Sequence, residues 1–370
     1  MREDGLVKTT LDHLEWLVAA STQNPPRRIR ESGVVERLRQ VLGAGFTIET
    51  DDRGGGSISL LARRGSPRLL WNFHIDTVPT CPGWTRDPLK LHVEGDRATG
   101  LGACDIKGAA AAMLAAVAAT KGDVALLFSS DEEAGQAVCI RSFLEKAVPF
   151  GGVIVAEPTG GRAVVAHRGI GTASGRFTGR AGHASRANAR EDSAIHEAVL
   201  WAHAALAYAA GSEAAGPLDG GLSGVRFNLG RIEGGEKANV VAAESRVRFG
   251  VRPPPGLDPQ GVLAELESLA PHPDRVAWES GFLGPPLPAA TGHGAVTLLE
   301  AGRALAGELG LPLGPAVDFW TEAALFSGRG YPAAVFGPGD IAQAHTADEW
   351  VLLSDLAEVA KAYVRILTPT

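Results

Sequence analysis

The chain reads as an α/β protein: a metal-binding catalytic domain with a central, mostly parallel sheet flanked by helices, plus an inserted α+β lid or dimerisation domain. Short, mainly apolar runs at 124–130 and 152–156 have the composition of strands covered on both faces. Helix-period stretches alternate with them, the order expected when helices cover both sides of a parallel sheet. Near residue 169 the texture changes, to about 281, to half-polar strand-like segments with two helical ones, and after Gly284, Pro285 and Pro286 the α/β texture returns. The expected division is 1–168 and 282–370 for the catalytic domain and 169–281 for the insert.

At 370 residues the chain has room for both domains and a large core. A formal net charge of −7, with no run rich in lysine or arginine, argues against nucleic acid as a partner. Carboxylates gathered around cations would add to that acidic sum. Three cysteines, Cys81, Cys104 and Cys139, have no C-x-x-C spacing, so a disulfide framework is not expected and a reducing cytoplasm is. The N-terminal segment lacks an apolar h-region, so no signal peptide is expected. The longest greasy run, 109–119, is alanine-rich and shorter than the ~20 residues a bilayer needs. It reads as a buried helix, and no membrane partner is expected.

In chain order, apolar residues at helical spacing predict a helix over 6–20, stopping before Asn24, Pro25 and Pro26. A second helix fits 31–42, ended by Gly43. Strands fit 57–62 and 69–78. The alanine-rich helix opens after Asp105, the strand 124–130 follows, then a helical stretch over 141–147 and the strand 152–156. In the insert, strands are expected at 172–178, 225–232 and 240–251, helices at 192–208 and 259–269, and a small-residue loop over 209–224. Helices near 295–309, from 321 and over 353–366, with a strand at 333–336, complete the chain.

The stretch LLWNFHIDTVP alternates apolar and polar residues, which puts His74 and Asp76 on one side of a strand. A metal-bound imidazole and the carboxylate that orients it are arranged in this way; so is an ordinary hydrogen-bonded pair. Further stations decide between them. Asp105 opens a helix, Glu132 and Glu133 follow the apolar strand 124–130, Glu157 closes the strand at 152–156, and His345 follows the strand at 333–336. Ligands of open α/β sheets gather outside the carboxyl ends of the strands. Carboxylate and imidazole donors suit zinc, cobalt or manganese, and thiolate is absent from the set. Two ions ~3.5–4 Å apart can share a carboxylate and acidify a water. Glu132 and Glu133 are adjacent, so one can bind metal while the other takes a proton.

The segments HIDTVP, GLGACDIKGA, SSDEE, AEPT, AGRAGHAS, EGGEKANVV, DFWTEAALF and GPGDIAQAHTADE, in this order and spacing, resemble the dinuclear-metal aminoacylases and exopeptidases. Within them the chain most resembles the acetylornithine deacetylase branch, and in that branch the acetylcitrulline deacetylases. The resemblance runs from Asn24 to the last helix. It implies that His74, Asp105 and Glu157 hold one divalent ion, zinc or cobalt, and that Asp105, Glu133 and His345 hold a second. Asp76 would orient His74. Glu132 would be general base, then general acid to the leaving amine. The bond after the bridging aspartate, Asp105–Ile106, would be a candidate cis peptide.

By the same resemblance the insert is a lid that makes a homodimer. His183 would stabilise the oxyanion, often from the partner subunit. Asn239 would lie near the substrate, and Arg252 would grip its α-carboxylate through a bidentate fork. From spacing alone, His183 is equally a residue of a glycine-flanked surface loop, and Arg252 a solvated arginine before a turn. Gly250 stands where the acetylornithine branch usually has aspartate, and Trp320 where it usually has a small residue; both favour the acetylcitrulline branch. The function implied is metal-dependent hydrolysis of an N-acetyl amino acid, N-acetyl-L-citrulline, in arginine biosynthesis. N-acetylornithine deacetylation, a related aminoacylase, desuccinylase or dipeptidase activity, and a non-enzymatic metal-stabilised binding protein are the alternatives. The presence of Glu132 speaks against the last.

Overall fold

The computed structural model describes residues 3–26, 29–146, 148–214, 221–289 and 292–368. The chain divides into two compact units. One comprises Met1–Val165, Glu300–Pro315 and Thr321–Thr370; the other comprises Ala166–Leu299 and Ala316–Trp320, a wider span than the expected 169–281.

The first unit opens with helix α1 (Glu3–Ala19). Helix α2 covers only Glu36–Leu42. Its expected first turn is irregular, because Ser32 and Gly33 take non-helical backbone angles and glycine gains little from a helical conformation. Strands β1 (Thr47–Asp52), β2 (Ile58–Arg64) and β3 (Leu69–His74) follow. β1 was not foreseen, since its polar and acidic residues disguise a half-exposed edge strand. The short strands β4 (His92–Glu94) and β5 (Arg97–Thr99) precede helix α3 (Lys107–Ala119), whose alanine-rich run is buried from Lys107 through Val117. Next come β6 (Val124–Ser129), buried along its whole length, α4 (Val138–Glu145) and β7 (Gly152–Val155). Ala147, expected at the end of α4, lies outside the described residues.

The second unit contains β8 (Ile170–Thr178), β9 (Gly182–His183), α5 (Ala194–Ala214), β10 (Arg226–Gly234), β11 (Val240–Val241), β12 (Glu244–Arg252), α6 (Pro259–Ser268) and β13 (Val276–Gly284). Helix α5 continues through 209–214, where a loop was expected. Alanine dominates that stretch and is the best helix former. Residues 215–220 of the expected loop lie outside the described ones. β10, β12, β8 and β13 form an antiparallel sheet in that order. Trp201 of α5 is fully buried on it, with ring centroids 5.0 Å from Phe249 and 5.2 Å from Trp278. β13 was missed because serine and glycine interrupt its alternation, and its register slips between Ser280 and Leu283.

After α7 (Gly292–Glu308), the chain adds α8 (Ala323–Ser327), β14 (Ala333–Val335), β15 (Trp350–Leu352) and α9 (Leu353–Leu367) to the first unit's elements. The central sheet there has the order β1-β2-β6-β3-β7-β14. β3, β6, β7 and β14 run parallel, while β1 and β2 are antiparallel additions at one edge. The four parallel strands therefore end on one edge of the sheet. In the ladder His74 faces Ser129, and Val155 faces both Asn72 and Val335. The carboxyl ends of strands far apart in sequence are thus brought level, where the site forms.

Candidate metal centre

Each acidic or imidazole group of the site leaves the sheet at a strand end. β3 stops at His74, so the expected continuation to residue 78 is a loop and strand periodicity does not reach Asp76. His74 Nδ1 donates to the backbone carbonyl of Asp76 at 3.1 Å, while the Asp76 carboxylate stands 3.6 Å from the same nitrogen. That carboxylate instead accepts the Glu133 backbone N–H at 3.0 Å. Asp76 thus meets His74 through its main-chain carbonyl and one carboxylate oxygen, and its other oxygen fixes the turn that follows β6.

With Nδ1 engaged, His74 turns Nε2 to Asp105 Oδ1 at 3.0 Å and Glu157 Oε1 at 3.8 Å. The other oxygen of Asp105 lies 3.5 Å from His345 Nε2, which also meets Glu133 Oε1 at 3.0 Å. Two groups result, His74–Asp105–Glu157 and Asp105–Glu133–His345, each with its donor atoms within 4.8 Å of one another. Asp105 belongs to both and offers one oxygen to each. These are the two ligand sets that the resemblance implied. The Asp105–Ile106 peptide is cis.

The electrostatics call for cations here. Burial opposes a charge on His74, yet its bonds to Asp105 and Asp76 hold its pKa well above the ordinary value. Asp105 and Glu133 hold His345 up at about 10. Glu157 is pushed well up by burial and by Asp105. Several buried carboxylates thus converge on two imidazoles, an arrangement that bound positive charge would stabilise. Oxygen and imidazole donors at these separations fit a pair of divalent ions that share Asp105.

Glu132 has its pKa pushed well up, first by burial and then by Glu133, Glu157 and Glu322, with His74 acting in the opposite sense. It is a carboxyl beside the ligand cluster. Glu322 is buried. Its Oε2 accepts from Asn72 at 2.6 Å and from Ser129 at 2.8 Å, and burial raises its pKa to about 8.

His183, Asn239 and Arg252 belong to the second unit. β9 and β11 pair His183 with Val240, and the Ala184 N–H donates to the Asn239 carbonyl at 3.1 Å, so His183 and Asn239 are neighbours. His183 Nδ1 accepts the Ser185 backbone N–H at 3.2 Å and lies 2.8 Å from the Ser185 hydroxyl. Arg252 ends β12, opposite Arg226. Gly250 lines a recess of about 500 Å³ together with Thr172, Asn228, Arg248 and Glu279. Trp320 is buried edge-on to Phe282, and its Nε1 donates to Pro285 O at 3.0 Å.

Two supporting residues escaped the sequence reading. Arg168, almost fully buried, donates to Asp318 and to the carbonyls of Ser223, Gly224 and Arg252, securing the end of β12. Glu349 gathers backbone N–H groups around Asp105. Its only sequence signal is an acidic residue shortly after His345, and that pattern has no specificity by itself.

Fold and site together define a two-unit α/β protein with donors for two metal ions. The chain belongs to peptidase family M20/M25/M40, whose model matches residues 70–368. It is 49% identical over 363 residues to the N-acetyl-L-citrulline deacetylase of Xanthomonas campestris pv. campestris, covering 98% of each chain. It is 32% identical over 357 residues to the acetylornithine deacetylase of Erwinia tasmaniensis, covering 85% of this chain and 86% of that one. Among solved structures, the aminopeptidase PepT of Bacillus cereus shares the fold at a TM-score of 0.72 and 21% identity, covering 98% of both chains. No helix among the described residues is long and apolar enough to cross a membrane.

Proposed function

We propose that this chain hydrolyses the acetyl amide of N-acetyl-L-citrulline to acetate and citrulline at a site formed by His74, Asp105, Glu133, Glu157 and His345. The observation that carries this reading is the shared Asp105 between two imidazole–carboxylate groups, joined to a nearly full-length likeness to an acetylcitrulline deacetylase. Divalent ions held by these residues, zinc or cobalt, would supply Lewis acidity to the amide carbonyl and to the attacking water. Glu132 takes a proton from that water as its oxygen bonds to the acyl carbon. It then delivers the proton to the amine nitrogen as the C–N bond breaks. A carboxyl with a raised pKa suits both halves of that exchange. His183 donates a ring N–H to the carbonyl oxygen as negative charge builds there. Arg252 holds the α-carboxylate by its two-pronged guanidinium, with Asn239 beside the substrate.

Citrulline's side chain ends in a neutral ureido group and ornithine's in an ammonium, which is costly to bury unpaired. Position 250 is glycine, so it offers no carboxylate to such an ammonium. Glu322 is occupied by Asn72 and Ser129, and burial pushes its pKa up to about 8. Both features support acetylcitrulline over acetylornithine. The test is kcat/KM for acetylcitrulline, acetylornithine and succinyldiaminopimelate at one fixed zinc or cobalt concentration. The highest value is expected for acetylcitrulline; an equal or higher value for acetylornithine overturns the preference.

The protein acts as a homodimer in this reading. Helix α5 of the second unit exposes Val199, Leu200 and Leu206 at 51%, 48% and 56%, an apolar stripe suited to a second copy of itself.

A further inference from the structure

Asp105 must present its two oxygens to two different imidazoles, so the backbone that carries it has to be held in place. That backbone is the turn GLGACD, and it has no sheet or helix of its own. Its N–H groups converge on one residue 244 positions away from Asp105. Glu349 Oε1 accepts the N–H groups of Cys104 and Asp105, each at 2.9 Å, and Oε2 accepts that of Gly102 at 2.9 Å. The main-chain carbonyl of Glu349 accepts the Gly100 N–H at 2.9 Å. Glu349 is only 2% exposed, so water does not substitute for these bonds.

The two ends of this clamp are fixed as well. β15 begins one residue after Glu349 and pairs antiparallel with β5, which ends one residue before the turn. On the other side Asp348 accepts the Thr85 N–H at 3.0 Å and its hydroxyl at 2.7 Å. Four residues upstream of Glu349 stands His345, with φ at 61°. One short segment therefore supplies an imidazole to the site and sets the main chain of the carboxylate that the imidazole faces.

We propose that Glu349 is a positioning residue for the metal centre: by holding the N–H groups of Gly102, Cys104 and Asp105, it sets Asp105 to serve both cation sites at once. The proposal rests on reading Asp105 as the shared ligand. It follows that loss of this carboxylate weakens both sites together, whereas loss of His345 or Glu157 would weaken mainly one. Glu349→Gln keeps the shape but turns one acceptor into a donor facing an N–H. Glu349→Asp keeps the charge but is one methylene too short to reach.

The experiment uses the full chain stripped with a chelator and titrated with zinc and with cobalt, counting ions bound and their affinities by calorimetry. The cobalt d–d absorption bands are recorded in parallel. For Glu349→Gln and Glu349→Asp both ions are expected to bind ~10–100-fold more weakly, the range for residues that support metal ligands. The cobalt bands should shift, and activity should return partly at high metal concentration. A merely structural role would lower the melting temperature of the metal-free protein and leave affinity and bands of the folded molecules unchanged, which overturns the proposal. If the parent binds two ions and the variants match it, this proposal alone fails. If the parent binds none, the ligand reading fails and takes the proposal with it. A second measurement needs no variant: in the metal-free parent, the amides of Gly102, Cys104 and Asp105 should exchange slowly with deuterium. Fast exchange there overturns the clamp.

Discussion

Among single residues, the proposed mechanism divides two tasks between the neighbours Glu132 and Glu133. Glu133 is within 3.0 Å of His345 and belongs to a ligand group; Glu132 does not. Glu132→Gln should therefore keep its metal content and lose at least ~10²–10⁴-fold in deacetylation, more if the same group serves as base and acid. Metal analysis and an acetate-release assay check both halves, and a variant with half the parental activity would remove Glu132 from this role. Glu322 makes a different prediction. Its pKa in the fold, about 8, lies above the value of 4.5 for a free glutamate, so the folded chain binds the extra proton. Its contribution to stability is complete below pH ~4.5 and lost as pH rises through ~8, by up to about 1.4 kcal/mol per pH unit. Glu322→Gln, which cannot ionise, should flatten that decline in denaturant melts of the metal-free protein between pH 5 and pH 8. Parallel curves for parent and variant would refute it.

At the scale of elements, helix α3 must start flush against the turn that carries Asp105. Gly108 lies in its first turn, and a Cβ there would stand 2.4 Å from the Ala103 carbonyl and 3.1 Å from Leu356 of α9. Backbone has to move to admit even one methyl group. Gly108→Ala should cost ~1–3 kcal/mol, as overpacking of a buried site does, despite alanine's better helix propensity. It should also weaken metal binding, because Ala103 lies within the turn that Glu349 holds. Thermal melts with and without zinc separate the effects: the variant should melt lower in both and gain less from zinc than the parent. A gain equal to the parent's would show that α3 can shift without disturbing the site.

For the whole molecule, the prediction concerns two copies. If His183 serves the partner's site, then Glu132→Gln and His183→Ala homodimers are both inactive, yet a mixed dimer contains one site with both residues intact. Mixing the two under conditions of subunit exchange should restore activity. Leu206→Asp, on the apolar stripe of α5, should abolish that recovery and give a monomer in light scattering. Exchange demonstrated by mass tags without any return of activity would place His183 in the service of its own subunit.

The kinds of donor, their order along the chain and the alternation of buried strands with helices were legible in the sequence alone. They depend on local chemistry: an apolar run such as 124–130 must be covered on both sides, and Glu132 and Glu133 must follow where it ends. The tertiary structure alone decided how these pieces meet. Strand periodicity pointed to Asp76 as a carboxylate beside His74, but β3 stops at His74; only the fold shows that one Asp76 oxygen stands 3.6 Å from His74 Nδ1 while the other accepts the Glu133 N–H. β1 and β13 were illegible because their cohesion lies in ladders with neighbours rather than in their own alternation. Glu349 was illegible for the same reason. A carboxylate that accepts N–H groups from a turn 244 residues away leaves no periodic trace in the sequence, since its partners are main-chain atoms that every residue carries.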